Sequence, residues 1–144
     1  MNEYGPQEHV YVENEWYDGP RAGIADVNGI PNRFKSLFDE AEDEYLGTFL
    51  VWPVDLITVE LEQEQWRIFA VWNALYEAGK ATIDTHPGHG GKNARWDEIE
   101  ALLAISRTNI PQLAQHALAK LTHFDGDVRY PSSGPAYTLS WRLL

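Results

Sequence analysis

Residues 22–38 read AGIADVNGIPNRFKSLF and contain the clearest structural signal in the chain. Short apolar segments flank Asn28 and Gly29 on both sides. Both residues tolerate the positive φ angles that a two-residue turn between antiparallel strands requires, so the segment predicts a β-hairpin. Residues 9–16 and 45–52 also have the composition of strands. We expect them to extend the hairpin into an antiparallel sheet.

Three helices are predicted after this sheet, at residues 59–78, 94–106 and 111–122. Asn93 is a suitable N-cap for the second helix, and Pro111 suits the first turn of the third. In the first helix, helical spacing places several apolar residues on one stripe, which we expect to face the core. The residues of this stripe are Leu61, Ile68, Trp72, Leu75 and Tyr76.

The end of the chain has the two-residue period of a strand with one buried face. The residues expected to point inward are Tyr137, Leu139, Trp141 and Leu143. Strands followed by helices and a final strand are typical of the α+β class. We therefore predict a single α+β domain over residues 1–144. Its antiparallel sheet combines the N-terminal strands with the C-terminal strand, and three helices pack on one face.

The negative charge of the chain is concentrated in its first half. Acidic residues outnumber basic ones by 22 to 11, and residues 1–64 carry a net charge of −12. The acidic residues form two clusters, which are Asp39, Glu40, Glu42, Asp43 and Glu44, and then Glu60, Glu62 and Glu64. Such a field repels phosphate groups and attracts basic proteins. We expect these residues to bind a basic protein partner, with no nucleic-acid or membrane partner; the alternative is a solvated surface that aids solubility.

The composition excludes several classes of chemistry and location. The chain has no cysteine, so disulfides, zinc–thiolate sites, iron–sulfur clusters and thiol nucleophiles are excluded. No apolar run reaches the roughly 18 residues of a membrane-spanning helix. The first residues lack the basic and apolar regions of a signal peptide. We therefore expect a cytoplasmic protein.

The loop over residues 84–91 is the most chemically suggestive segment. Asp84, His86 and His89 could together bind a divalent transition metal or transfer protons, and three glycines allow a ligand to approach the backbone. A zinc site needs a further ligand, and none lies nearby in the sequence. A small metal-binding protein or hydrolase that uses this loop is therefore an alternative interpretation, and a plain surface loop is the other.

Residues 98–110 are similar to the helix-turn-helix of bacterial repressors, in which the second helix enters the DNA major groove. Glu100 occupies a position where that motif has a small buried residue, and Ala104 replaces its turn glycine. Pro111 would lie inside the recognition helix, and basic residues are sparse nearby. DNA binding is therefore a third interpretation, and these departures count against it.

Residues 16–31, WYDGPRAGIADVNGIP, resemble the opening of uncharacterised bacterial proteins. The resemblance implies no activity, cofactor or catalytic residue.

No Ser–His–Asp arrangement or other strong catalytic motif is present in the sequence. The sequence therefore favours a non-enzymatic, acidic protein–protein interaction module without a cofactor. An inhibitor or immunity-type partner of a basic enzyme is one version of this hypothesis. The sequence leaves the oligomeric state open.

Overall fold

The computed structural model describes residues 3–144, which form a sheet of six strands and two α-helices. The elements are β1 (Val10–Trp16), β2 (Pro20–Val27), β3 (Ile30–Asp39), β4 (Glu44–Pro53), α1 (Leu56–Glu77), α2 (Ala94–Thr108), β5 (Gln115–His123) and β6 (Tyr137–Leu143). Every neighbouring pair is antiparallel, and the order of strands in the sheet follows their order in the chain. Along the chain, both helices follow β4 and precede β5.

The sheet curls until the segment before β1 meets β6. The backbone N–H of Gly5 donates to the carbonyl of Trp141 at 2.8 Å. Glu8 and Leu139 exchange two backbone hydrogen bonds of 2.8 and 3.1 Å. The pairing between β4 and β5 is short by comparison, because it joins only residues 49–51 to residues 115–117.

The curled sheet encloses one apolar core on its inner face. The buried residues of this core are Val10, Ala25, Val27, Phe34, Phe49, Val51, Ala117, Tyr137, Leu139 and Trp141. Gly23 allows the strands to approach closely, because a Cβ atom there would lie 2.3 Å from the carbonyl oxygen of Val12 and 2.8 Å from the Phe34 ring. Any side chain at this position would separate β1 from β2.

The outer face of the sheet is covered by the helices. Val12 and Ile24 form a second buried cluster with Val59, Trp66 and Ala70 of α1. The predicted inward stripe of α1 is therefore wrong: Leu75 and Tyr76 are 44% and 42% exposed, and the helix buries a different side. The residues that α1 buries are Val59, Glu62, Gln65, Trp66 and Ala70.

The predicted third helix, at residues 111–122, is also wrong, because the chain there forms β5. Alanine, leucine, glutamine and lysine favour a helix locally. The same segment alternates, and Ala117, Ala119 and Leu121 face the inner core. Pairing with β4 on one side and β6 on the other satisfies the backbone of the segment, and this tertiary contribution exceeds the local preference.

Several other expectations agree with the structure. The general α+β class fits, the Asn28–Gly29 turn joins β2 to β3, and the first two helices lie close to their predicted positions. The final strand points Tyr137, Leu139 and Trp141 inward, whereas Leu143 is 39% exposed. Within residues 3–144, neither helix combines the length and the apolar character needed to cross a lipid bilayer.

We expect Trp141→Ala to lower the free energy of unfolding by about 3–5 kcal/mol, the usual cost of truncating a buried tryptophan. The Trp141 ring packs against those of Phe34 and Phe49, and its indole N–H donates to the Asp26 carbonyl at 3.0 Å. Leu143→Ala on the same strand is the control and should cost less than about 1 kcal/mol. Urea unfolding measures both, and equal losses would contradict the placement of Trp141 in the core.

Candidate functional site

A buried ion-pair network joins the sheet to both helices. Glu62 of α1 is 1% exposed, and its carboxylate accepts from Arg33 of β3 at 2.9 Å. Arg107 of α2 donates to both carboxylate oxygens of Glu62, at 2.6 Å through Nη2 and 3.0 Å through Nε. Asn14 of β1 adds a fourth hydrogen bond, at 3.1 Å. The carboxylate thus has four donors from three different elements.

Local sequence places Glu62 on the buried side of α1. Asp55 caps the helix by accepting from the Thr58 backbone N–H at 2.8 Å, which fixes where the helix begins. Val59, Glu62 and Trp66 are then spaced three and four residues apart, so they share one face. On the sheet, Arg33 pairs with Ile24 on one side and Trp52 on the other, in a row that faces the helices.

The arginines keep Glu62 ionised. Burial alone would raise the pKa of its carboxyl group, because a charge is poorly solvated inside a protein. The hydrogen bonds and positive charges of Arg107 and Arg33 outweigh burial, and the pKa is lowered overall. The network is therefore a fully charged one at neutral pH.

A cavity of about 390 Å³ lies beside the network, bounded by β1, α1, α2 and the loops before α2 and β6. Its aromatic wall consists of Trp16, Trp66, Phe69, His86, Trp96 and Tyr130. Three of these rings contact one another: the ring centre of Phe69 lies 4.9 Å from that of Tyr130 and 6.1 Å from that of Trp66. The indole N–H of Trp66 donates to the Pro131 carbonyl at 2.7 Å, which fixes the ring in the wall.

The polar wall of the cavity is an extension of the ion-pair network. Gln65 accepts from Arg107 at 2.6 Å and donates to Glu100 at 2.8 Å. Arg107 also donates to Glu100, at 2.7 Å. These side chains are held by one another before any ligand arrives. The other acidic residues of the wall are Glu13, Glu15 and Glu62.

His86 enters the cavity as a neutral ring. Its Nδ1 accepts from the Gly88 backbone N–H at 2.8 Å, so the proton of the neutral ring lies on Nε2. Partial burial, together with the nearby charge of His89, lowers the pKa of His86 below its ordinary value of 6.5. His86 therefore adds a hydrogen-bond donor to the wall, without a positive charge, at neutral pH.

The predicted metal-binding residues do not come together as one site. The rings of His86 and His89 do lie close together, 5.5 Å apart between centres, but Asp84 accepts from the Thr82 hydroxyl and adds no third ligand. Over residues 3–144, no group of three or more His, Asp or Glu side chains is arranged so that it could hold a metal ion. Of the predicted set, only His86 lines the cavity.

The two predicted acidic clusters differ in how far they are exposed and paired. The first, Asp39, Glu40, Glu42, Asp43 and Glu44, lies at the β3–β4 turn, where four of its members are exposed and Asp39 is half-buried. Glu60 is also exposed, and Glu64 is paired with Arg95. The prediction that Glu62 binds a protein partner is wrong. Its carboxylate is buried against two arginines, so a protein partner cannot reach it.

The helix-turn-helix interpretation fails on geometry. α2 covers the residues proposed for the first helix, but residues 109–114, where the recognition helix should lie, form a loop that leads into the strand β5. Without that helix, nothing in the segment can enter a major groove in the manner of a repressor.

Sequence reasoning missed Arg33, Gln65, Trp96 and Arg107 as members of a site. One signal was available: Glu62 and Gln65 lie at helical spacing from Val59 and Trp66, on the side that proves to be buried. No family model, curated protein or solved structure matches this chain, so the function is argued from the site alone.

We expect Glu62→Gln to lower the free energy of unfolding by about 3–5 kcal/mol, because it leaves the buried Arg33 without a counter-charge among the described residues and leaves Arg107 with Glu100 alone. Glu60→Gln, two residues away on the exposed side of α1, should change it by less than about 0.5 kcal/mol. Chemical denaturation of both variants at pH 7 measures the difference. A similar, small effect of both substitutions would contradict the network's structural role.

A comparison of the wild-type protein with Glu62→Gln at different pH values tests the charge of the carboxylate. Because the folded-state pKa of Glu62 is lowered from 4.5, the unfolded chain binds the proton first as the pH falls. The contribution of Glu62 is therefore complete above about pH 4.5 and is lost as the pH falls through the folded-state value. The stability difference between wild type and Glu62→Gln should shrink over this window in acid denaturation curves. A constant difference would mean that the lost stability does not come from the ionised carboxylate.

Proposed function

We propose that this protein binds a small organic molecule in the cavity between β1, α1 and α2. The observation that carries the proposal is an aromatic-walled cavity of about 390 Å³ that lies directly against a buried ion-pair network. Ligand sites in proteins are typically concave, mostly apolar, about 300–1,000 Å³ in volume, and carry a few fixed polar groups.

The wall is organised in advance, which favours tight binding. Gln65, Glu100 and Arg107 are already held by mutual hydrogen bonds, and Trp66 is fixed by Pro131. A ligand therefore does not have to order these side chains, and ordering rotamer-rich side chains usually costs about 0.5–1.5 kcal/mol each. More of the contact energy remains available as affinity.

The charged side chains of the wall are better suited to binding than to acid–base catalysis. A general acid or base needs a pKa near the working pH, which for a carboxyl group means a raised one. The pKa of Glu62 is lowered by its arginines, and Glu100 is paired with Arg107. Arginine itself stays protonated at any physiological pH. The charged groups of the polar wall are thus suited to holding a ligand.

The six tryptophans allow the proposal to be tested residue by residue. Trp16, Trp66 and Trp96 line the cavity, whereas Trp52 and Trp141 are buried elsewhere. In ¹⁵N–¹H spectra of the labelled protein, we expect members of a library of small organic fragments to shift the three cavity indole signals. The signals of the other two buried tryptophans should stay in place.

A matched pair of variants controls this experiment. Trp96→Leu removes one ring from the wall and should weaken the best fragments at least about tenfold, which corresponds to about 1.4 kcal/mol. Phe124→Leu replaces an exposed ring outside the cavity and should leave their affinity unchanged. If no fragment shifts the cavity indoles, or if both variants weaken binding equally, the cavity is not a ligand site.

The acidic β3–β4 turn supports a second proposal, the docking of a basic protein partner. Its five acidic residues form no ion pair within residues 3–144, so their charge is uncompensated. Asp39 accepts from the backbone N–H groups of Ala41 and Glu42 and holds the turn, which keeps the other four residues together at its tip.

We expect neutralisation of Glu40, Glu42, Asp43 and Glu44 to weaken the binding of a lysine-rich peptide and to flatten its dependence on salt, because surface charges act over a Debye length of about 10 Å at 0.1 M salt. The control neutralises four exposed, scattered acids and changes the net charge equally. Those residues are Glu60, Glu77, Asp125 and Asp127. Equal losses in the two variants, measured by fluorescence anisotropy, would mean that net charge acts without a docking site.

A further inference from the structure

We infer that the ligand of the cavity is a small organic cation, an amine or quaternary ammonium compound with an apolar body. This inference rests on the proposed function and adds the chemical class of the ligand. Three features carry it. The wall has a net negative charge, its arginine is already engaged in hydrogen bonds, and its aromatic rings attract a cation, as two of them already do with an arginine of this chain.

The wall carries an excess of negative charge. Four carboxylates line the cavity, and Glu62, Glu100 and Glu13 each have an arginine partner. Glu15 has none, since its carboxylate accepts only from the Tyr45 hydroxyl, at 2.9 Å, among the residues that the structure describes. His86 is neutral at physiological pH and does not offset this charge. The lining therefore keeps one carboxylate without a cationic partner, that of Glu15, which is exposed to solvent and accessible to a ligand.

The wall offers little to an anion. Arg107 is the only arginine or lysine among the cavity-lining residues of the described chain. Its guanidinium already makes two hydrogen bonds to Glu62, one to Gln65 and one to Glu100. Four of its five N–H groups are thus engaged, and an anionic ligand would find one free donor and the unpaired carboxylate of Glu15 in the same lining. The electrostatics of the cavity thus oppose an anion.

Aromatic rings give a cation a favourable surface. The negative face of an aromatic ring attracts cations within about 6 Å of its centre, and tryptophan attracts them best. Trp16, Trp66 and Trp96 supply three indole rings to the wall, and Phe69 and Tyr130 supply two smaller rings. The same rings bury the apolar body of the ligand.

A cation of this chain already uses part of the wall in this way. The Arg129 guanidinium lies 4.8 Å from the ring centre of Trp16 and 4.5 Å from that of Tyr130. It is paired at 3.4 Å with Glu13, whose side chain is 6% exposed. The other oxygen of Glu13 accepts from the Tyr137 hydroxyl at 2.8 Å, which holds the carboxylate in place. The wall is thus chemically suited to a positive charge between aromatic rings.

Three isosteric probes separate charge from shape. They are 4-hydroxyphenyltrimethylammonium, 4-tert-butylphenol and 4-hydroxybenzenesulfonate, which carry a positive, a neutral and a negative group on the same ring. Titration of the Trp16, Trp66 and Trp96 indole signals at 0.15 M salt gives their affinities. We expect the ammonium compound to bind at least about tenfold more tightly than tert-butylphenol, and the sulfonate to bind weakest.

Variants at Glu15 test which carboxylate supports this preference. Glu15→Gln should reduce the advantage of the ammonium probe several-fold, while the affinity of tert-butylphenol stays the same. Glu15→Asp keeps the charge and should retain most of the advantage. Glu60→Gln removes one exposed charge that is not part of the cavity lining and should change neither affinity.

The outcomes separate this inference from the proposed function. If tert-butylphenol or the sulfonate binds as tightly as the ammonium probe, the cation inference is wrong and the cavity remains a ligand site. If none of the three probes shifts the cavity indoles but other fragments do, the cation inference is again wrong. If the whole fragment library also leaves these signals unchanged, both proposals are wrong.

Discussion

The buried carboxylate of Glu62, with its two arginines, is the constraint on which the arrangement of this molecule depends. Removing a carboxylate from water is costly unless its charge and hydrogen bonds are matched inside the protein. The matching groups come from β3 through Arg33, from α2 through Arg107 and from β1 through Asn14. All four elements must be in place together, so the network fixes the positions of both helices on the sheet.

This constraint explains an unexpected property of α1. The helix turns Glu62 toward the sheet and Gln65 toward α2, and it leaves Val71, Leu75 and Tyr76 exposed by 59%, 44% and 42%. The apolar pattern alone favours a different orientation, with the stripe of Leu61, Ile68, Trp72, Leu75 and Tyr76 facing the core. The ion pairs, with Val59 and Trp66 beside them, determine which side of the helix is buried. The same orientation places Gln65, Trp66 and Phe69 in the wall of the cavity.

Local patterns predicted the parts of the fold that depend on local interactions. The Asn28–Gly29 turn, the strands around it, α2 with its Asn93 cap and the alternating β6 could all be read from short windows. β5 could not, because its helix-favouring residues form a strand only between β4 and β6. The ion-pair network could not be predicted from the sequence either, because Arg33 and Arg107 lie 29 and 45 residues from Glu62 in the chain and no local pattern links them. His86 was identified from its chemistry, but its aromatic neighbours were not.

The short pairing between β4 and β5 has a consequence for the order in which the molecule folds. β1 to β4 are joined by tight turns, and contacts between neighbours in sequence form quickly. Joining residues 49–51 to residues 115–117 requires closure of a loop that contains both helices, which is slower and is opposed by chain entropy. α2 and its Arg107 lie within that loop, so we expect the ion network and the cavity to form late in folding, together with this pairing. Local unfolding that starts from the β4–β5 pairing would open the cavity before it disturbs the four consecutive strands β1 to β4.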